Sequence, residues 1–255
     1  MCYDIKTSLA TQLKKAKRKN NAATIAKIEE KLAPMTDLPL FHSSGFDHPK
    51  LFIYTSESPN LPIVANWGLV PTWVNDEKQK NERWNSTLNA RGETIFEKPS
   101  FKDAAINGRC VLYLDGFYEH QHRNGEPIPH LIYRKKNEPL AVAGLWNAWK
   151  NEQNGIVMNT FTIVTSPANL LMKGIRNNPK LEAARMPLIL SESEEIHWLN
   201  PNLTDEKTIQ SLIKAAPDGE LKAHTVRKLK GKSYLGNVEK VAERFDYPEP
   251  LTLFD

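Results

Sequence analysis

The sequence predicts an α+β single domain, a curved and barrel-like, mainly antiparallel β core with peripheral helices. Three observations carry this. Short apolar runs of strand length recur along most of the chain, at Leu51–Tyr54, Ile63–Trp67, Cys110–Leu114, Leu131–Tyr133, Leu140–Trp146, Ile156–Thr165 and Leu188–Leu190. Stretches with helical spacing are few, and many short strands with few helices favour a sheet that curls on itself. The 255 residues suffice for one sizeable core, and neither a Gly/Ser linker nor an internal repeat divides them.

The elements follow in order. From about Asp4 to Leu32 the chain reads as helix. Leu9, Leu13, Ile25 and Ile28 recur at roughly helical spacing among Lys, Glu and Gln, Asn20-Asn21 divides the run in two, and Pro34 ends it. This makes residues 5–33 a helical insertion in a domain spanning residues 1–240, with residues 241–255 a C-terminal tail. The strands then take over. After the last of them, Ser191 and Glu194 have the spacing of a capping box for a helix through Leu199. A further helix is expected from Asp205 to Ala215, stopped by Pro217-Asp218-Gly219.

Composition bounds the function. Hydrophobic residues make up 40% and charged residues 25%, which excludes a disordered or fibrous chain. Mean hydropathy is −0.51, and no apolar run approaches the ~18 residues of a membrane span. Asp4 and Lys6 come too early for a secretory leader, and Cys2 and Cys110 cannot build a disulfide scaffold, so reducing cytosol is the expected compartment. The net charge is only +4. Basic residues cluster at Lys14-Lys15-Ala16-Lys17-Arg18-Lys19 and at Lys222, Arg227, Lys228, Lys230 and Lys232, as phosphate contacts or as solvated faces. The seven histidines are scattered, with neither C-x-x-C nor H-E-x-x-H, and no Gly-rich phosphate loop or G-x-S-x-G is present. Neither a metal nor a cofactor is expected.

Cys2 carries the most chemistry. Initiator methionine is normally removed before a small residue, which leaves Cys2 with a free α-amine and a thiol on adjacent carbons. The amine's reference pKa of ~7.7–8.0 leaves much of it neutral at working pH. Such a 1,2-aminothiol condenses with an aldehyde to an imine, which the thiol closes to a thiazolidine. The same group serves equally as an N-terminal nucleophile for amide hydrolysis, with its own amine as base. Against both stands the bland reading that cysteine is second by accident. Cys110, inside an apolar run, reads as a small buried hydrophobe. Trp67, Trp73, Trp84, Phe117 and Tyr118 lie near polar groups and suit either core packing or base stacking.

Motifs in a fixed order narrow these alternatives. They are Met1-Cys2, WGLVPTW (67–73), NARGETIFEKPSF (89–101), RCVLYLDGFYEH (109–120), AGLW (143–146), FTIVTSPAN (161–169) and RMPLIL (185–190). Together they resemble the SRAP family, the SOS-response-associated peptidase-like proteins that shield abasic sites, from about Cys2 to Arg227. The resemblance implies a β-barrel-like core, a basic channel for single-stranded DNA, and a thiazolidine cross-link between the N-terminal cysteine and the ring-opened sugar aldehyde. By motif it makes Cys2 the nucleophile, Asn89 the neighbour that contacts the lesion, and Glu119 the proton-transfer carboxyl. It assigns Arg91 to phosphate and places Arg185 with the DNA-binding residues. Trp67, Pro71 and Trp73 would shape the cleft where bases unstack.

Three departures accompany it. Where the family has an Ile-His dipeptide before Arg-Met-Pro, this chain has Ile175-Arg176, then residues 177–184 as a loop insertion. Arginine cannot give up its proton, so Arg176 holds charge but is no general base. Asp4 stands where many relatives are basic, and the helical insertion is extra. The implied partner is single-stranded DNA with abasic sites, bound by a cytoplasmic, nucleoid-associated monomer without membrane contact. An N-terminal cysteine amidohydrolase or self-processing peptidase and a non-catalytic single-strand-binding module are the competing expectations.

Overall fold

The computed structural model describes residues 2–18, 21–180 and 182–248. Met1, Lys19 and the side chains of Lys14, Lys15 and Arg18 lie outside what is described, so the expectations on Met1 removal and on the first basic run fall there.

The strands are β1 (Asp4–Thr7), β2 (Leu40–Ser44), β3 (Lys50–Thr55), β4 (Ile63–Trp67), β5 (Asn89–Arg91), β6 (Arg109–Leu114), β7 (Gly116–Arg123), β8 (Glu126–Arg134), β9 (Leu140–Lys150), β10 (Val157–Pro167), β11 (Arg185–Pro187), β12 (Ile189–Leu190) and β13 (Leu221–Thr225). The helices are α1 (Leu9–Arg18), α2 (Ala22–Lys27), α3 (Glu77–Arg83), α4 (Lys102–Asn107), α5 (Leu170–Ile175), α6 (Glu192–Trp198) and α7 (Glu206–Ser211). Strands β10, β4, β3, β6 and β9 pair in that order, and β9 pairs back to β10, which closes a five-stranded barrel. Strands β5, β11 and β12 attach outside it. A second sheet runs β13-β8-β7-β1-β2. The expected barrel-like α+β domain is the one observed.

β6 explains the continuous apolar run at Cys110–Leu114. Cys110, Leu112 and Leu114 join a core shared with Ile5, Phe117 and Ile132 of the second sheet, while Val111 and Tyr113 face Trp198 of α6 and Ile209 of α7. A strand buried on both faces has no polar alternation to show. Cys110 is the expected buried hydrophobe, its sulfur 2.9 Å from where a Cβ on Gly144 would stand.

The first helix departs from expectation. Asp4–Thr7 is a strand pairing β2 on one side and β7 on the other, with Ile5 and Thr7 buried. Pairing on both edges overrides a weak helical pattern, and α1 starts only after Ser8, whose hydroxyl accepts the Thr11 N–H at 3.3 Å. The helical segment after β1 packs on the barrel, with Leu13, Ala16 and Ile28 clustered against Phe52 of β3. Helix α7 begins at its Asp205 cap and stops at Ser211, short of the expected Ala215. The capping box at Ser191 and Glu194 is present as read. Beyond β13 the chain runs back over the second sheet. Val226, Leu229 and Val241 cover Tyr118 and Leu131, and the Tyr247 hydroxyl donates to the Val226 carbonyl at 2.9 Å.

Candidate active site

The β1–β7 register places Asp4 opposite Tyr118, so the residues before Asp4 run alongside Glu119. Cys2 is fully buried. Asn89 reaches it from β5, with the side-chain N–H donating to the Cys2 carbonyl at 2.8 Å. Asn89 is held from behind. β5 lies parallel to β10, Asn89 opposite Ile163, and the Trp67 indole donates to the Leu88 carbonyl at 2.7 Å.

Glu119 and Arg176 form a buried ion pair, Nη1 to Oε1 at 2.8 Å. Arg176 follows the last turn of α5, and that end is tied to β7 at two points. Gln121 donates to the Gly174 carbonyl at 3.1 Å. Asn177 accepts the His122 N–H at 2.7 Å and donates to the His122 carbonyl at 3.0 Å. The other end of α5 is fixed by Asn169, which caps Met172 and donates to the Ala216 carbonyl at 3.2 Å. Four residues distant in sequence, Cys2, Asn89, Glu119 and Arg176, therefore meet.

Their electrostatics suit proton transfer. Burial pushes the Glu119 carboxyl up to about 7, although Arg176 pulls it down. Its neutral and ionised forms are thus both populated near neutrality. Burial, and then the Glu119 charge, push the Cys2 thiol up, with Arg176 opposing. Tyr3 is likewise raised by burial, with Arg176 opposing. Asn89 Oδ1 and Arg176 Nε are buried with no hydrogen-bond partner among the described residues. Two unsatisfied polar atoms beside a thiol are hydrogen-bonding capacity free for a substrate.

The residues expected to bind DNA are placed differently from one another. Arg91 is half-exposed and lies 3.4 Å from Glu182, in the loop between α5 and β11. Arg185 is largely buried, forked onto both oxygens of Glu93 at 3.0 and 2.6 Å, with a further bond to the Thr165 carbonyl at 2.8 Å. This pair holds the Glu93 carboxyl below its usual range against burial. Trp67 is buried, stacked against Phe161 with centroids 6.3 Å apart, and presents no face to a base. Its effect on a cleft runs through Leu88 and Asn89. Trp73 is exposed beneath the Arg83 guanidinium at 4.8 Å. Pro71 lines a separate cavity of about 250 Å³ with Pro99, Asp103 and Trp146, and none of the four clustered residues lines it.

The family model for the SOS response associated peptidase (SRAP) matches residues 1–233. The chain belongs to the SRAP family. It is 37% identical over 180 residues to the abasic site processing protein YoqW of Bacillus subtilis, covering 70% of this chain and 75% of that one. It is 31% identical over 179 residues to the abasic site processing protein HMCES of Gallus gallus, covering 62% of this chain and 51% of that one. Among solved structures, a protein from Bacteroides thetaiotaomicron superposes with a TM-score of 0.81 at 32% identity, over 96% of this chain and all of that one. A Bordetella bronchiseptica protein shares the fold at a TM-score of 0.68 and 20% identity, over 88% of this chain and 99% of that one.

Sequence reasoning missed the residues that frame this SRAP site. Gln121 and Asn177, which tie the end of α5 to β7, are examples. The β7–β8 hairpin turns at Asn124-Gly125, both at positive φ, and pairs Arg123 with Glu126. Asn-Gly is the strongest short hairpin signal. Reading it would have made strands of 116–123 and 126–134 and set His130 opposite Glu119.

Proposed function

We propose that this SRAP protein captures abasic sites in single-stranded DNA as a covalent adduct through Cys2. The observation that carries the reading is the burial of Cys2 among Asn89, which bonds its carbonyl, and the Glu119–Arg176 ion pair. With Met1 removed, the Cys2 amine attacks the ring-opened sugar aldehyde to give a carbinolamine. Glu119 in its acid form protonates the departing hydroxyl, which leaves as water, and a carbon–nitrogen double bond forms. The thiol sulfur then adds to that carbon, and its proton returns through Glu119. One water is lost in total. Arg176 moves no proton, since its guanidinium stays charged. It holds Glu119 in place and offsets negative charge as the thiol ionises. Asn89 orients the Cys2 backbone.

The names of the curated relatives support abasic-site DNA as the partner. Arg91 would contact its phosphates, Trp73 and Pro71 would border the path of the strand, and Arg185, engaged by Glu93 and Thr165, would brace that surface from beneath. The protein would act as a monomer in the cytoplasm on nucleoid DNA. No helix among the described residues is long and apolar enough to cross a membrane. The SRAP domain would end near residue 240, with 241–255 as its tail.

The test is intact-protein mass spectrometry after incubation with a single-stranded oligonucleotide carrying one abasic site. The expected product has the summed mass less one water, with Met1 absent, and is missing for Cys2→Ala. Full adduct yield from Cys2→Ala would overturn the reading.

A further inference from the structure

The strand that follows Cys2 is held by a chain of three side chains. Asp4 pairs with Ser44 of β2 and with Tyr118 of β7, and His42 lies two residues from Ser44, so these side chains share one face of the second sheet. Asp4 Oδ1 lies 3.0 Å from His42 Nε2, and His42 Nδ1 lies 2.6 Å from the Tyr234 hydroxyl. A carboxylate only accepts, so Nε2 carries a hydrogen. His42 is buried, and its ring meets those of Tyr118 and Tyr234 nearly at right angles, with centroids 5.3 and 5.2 Å away. Both ring nitrogens are therefore engaged and the ring is packed in one orientation.

The outer end of this chain belongs to the C-terminal segment. Tyr234 packs against Tyr118 and Leu131 and lies just past residue 233, where the family match ends. The same segment is fastened to β2, the edge strand of its sheet. Asn237 accepts the Phe41 and His42 N–H groups at 2.7 and 3.2 Å and donates to the Pro39 carbonyl at 3.0 Å. The inner end acts on the site. Burial raises the Glu119 carboxyl most, and the Asp4 charge adds to it, against Arg176. The Cys2 thiol is raised by burial, then by Glu119, with Asp4 again adding.

We propose that His42 is a positioning residue for the capture site: held by Tyr234 on one side, it fixes the Asp4 carboxylate two residues from Cys2 and so ties the C-terminal segment to the strand that follows the nucleophile. The inference rests on the proposed function for its effect on rate, while the fixed anion belongs to the free protein. In the neutral ring the Tyr234 hydroxyl donates to Nδ1 and Nε2–H donates to Asp4, so the chain transmits orientation and releases no proton. An anion held there disfavours a second negative charge on Glu119, and thereby favours the acid form that protonates the departing hydroxyl. The other groups whose charge couples to this chain are Tyr118 and His120 of β7 and Asp47 between β2 and β3, with Lys228 and Lys230 acting on His120.

The test has two arms. The first follows the Glu119 carboxyl of the free protein by ¹³C NMR across pH. Asp4→Asn keeps an acceptor for His42 Nε2 and removes the charge, so the Glu119 midpoint should fall from about 7 by roughly half a pH unit. An unchanged midpoint overturns the proposal. The second arm measures the single-turnover rate of adduct formation at saturating abasic-site oligonucleotide, together with Kd. His42→Phe keeps a buried ring and severs both bonds, so the rate should fall about 10-fold with Kd unchanged. His42→Gln returns a donor to Asp4 and should recover the rate to within about 3-fold of wild type. Equal rates for the two variants, or a loss accounted for by weaker binding, overturn it. Should His42→Phe not fold, Tyr234→Phe, which removes only the outer hydroxyl, takes its place with an expected slowing of about 3-fold, and a wild-type rate overturns the proposal. If the wild type forms no adduct at all, the proposed function fails, and the Glu119 titration still decides whether Asp4 is the fixed anion.

Discussion

Two arginines are buried among the described residues, and they are satisfied in opposite ways. Arg109, at the start of β6, spends all five donors on main-chain carbonyls. Nε meets Trp198 at 2.8 Å, Nη1 meets Ala105 and Ile106 at 2.9 and 2.8 Å, and Nη2 meets Asn200 and Leu203 at 2.8 and 2.7 Å. No carboxylate is needed. The carbonyls it collects close α4 and the chain after α6, so one side chain ties two segments to the barrel wall. Arg176 meets one carboxylate, and its Nε has no partner among the described residues. Saturation marks a cation that holds the fold. Spare donors beside a thiol and a raised carboxyl mark one that waits for something else.

The comparison breaks most readily at Arg109. Arg109→Met strands five carbonyls, two in buried and three in part-buried bonds, at about 1–3 kcal/mol each where water cannot reach, so a loss of about 4 kcal/mol is expected in denaturant unfolding. Arg176→Met leaves only Glu119 behind, and a carboxyl already near neutrality protonates instead of remaining a bare charge. The same measurement should show a change of about 1 kcal/mol. Equal losses for the two variants would remove the distinction.

At the site the effects move from stability to rate. Glu119→Gln keeps the shape and loses the proton, so adduct formation should slow by about 10²–10³-fold while single-stranded DNA binding persists. Arg176→Met removes the cation that pulls the Glu119 carboxyl down, so the midpoint near 7 should move to higher pH in the rate profile. The sign for stability follows from the same shift. A carboxyl raised in the fold stabilises fully below its ordinary value of 4.5, and this is lost as pH rises through about 7. Wild-type stability relative to Glu119→Gln should therefore decline across that window, and a flat difference would contradict the burial argument.

Residue types and motif order made much of this legible. Cys2 is readable from its own chemistry, whereas Asn89, Glu119 and Arg176 enter only through the motif order that the chain shares with the SRAP family. The barrel followed from strand-length apolar runs. What escaped was pairing. Asp4–Thr7 has no strand signature of its own and becomes β1 only because β2 and β7 flank it. Trp67 reads as a cleft aromatic in its Trp-Gly motif, and only three-dimensional packing reveals it buried against Phe161. The β7–β8 strands carry His120, Gln121, His122 and Arg123, whose polarity hides a hairpin that the Asn-Gly turn announces.

Arg91 extends the comparison to the surface. Its side chain is 53% exposed, that of Glu182 is 85% exposed, and they lie 3.4 Å apart. Pairs this open contribute little to stability, so Glu182→Gln should change the unfolding free energy by less than about 0.5 kcal/mol. Its consequence is expected in binding. Glu182, in the loop between α5 and β11, sets an anion beside the arginine that the proposed function assigns to phosphate. Removing that charge should tighten single-stranded DNA binding a few-fold at low salt, as read by fluorescence anisotropy. The gain should shrink as salt rises, because exposed charges are screened beyond a Debye length of about 10 Å at 0.1 M. A gain that survives high salt would show that the loop obstructs DNA by shape. No gain at any salt would mean that Arg91 does not meet phosphate, and that the exposed end of the series has no part in recognition.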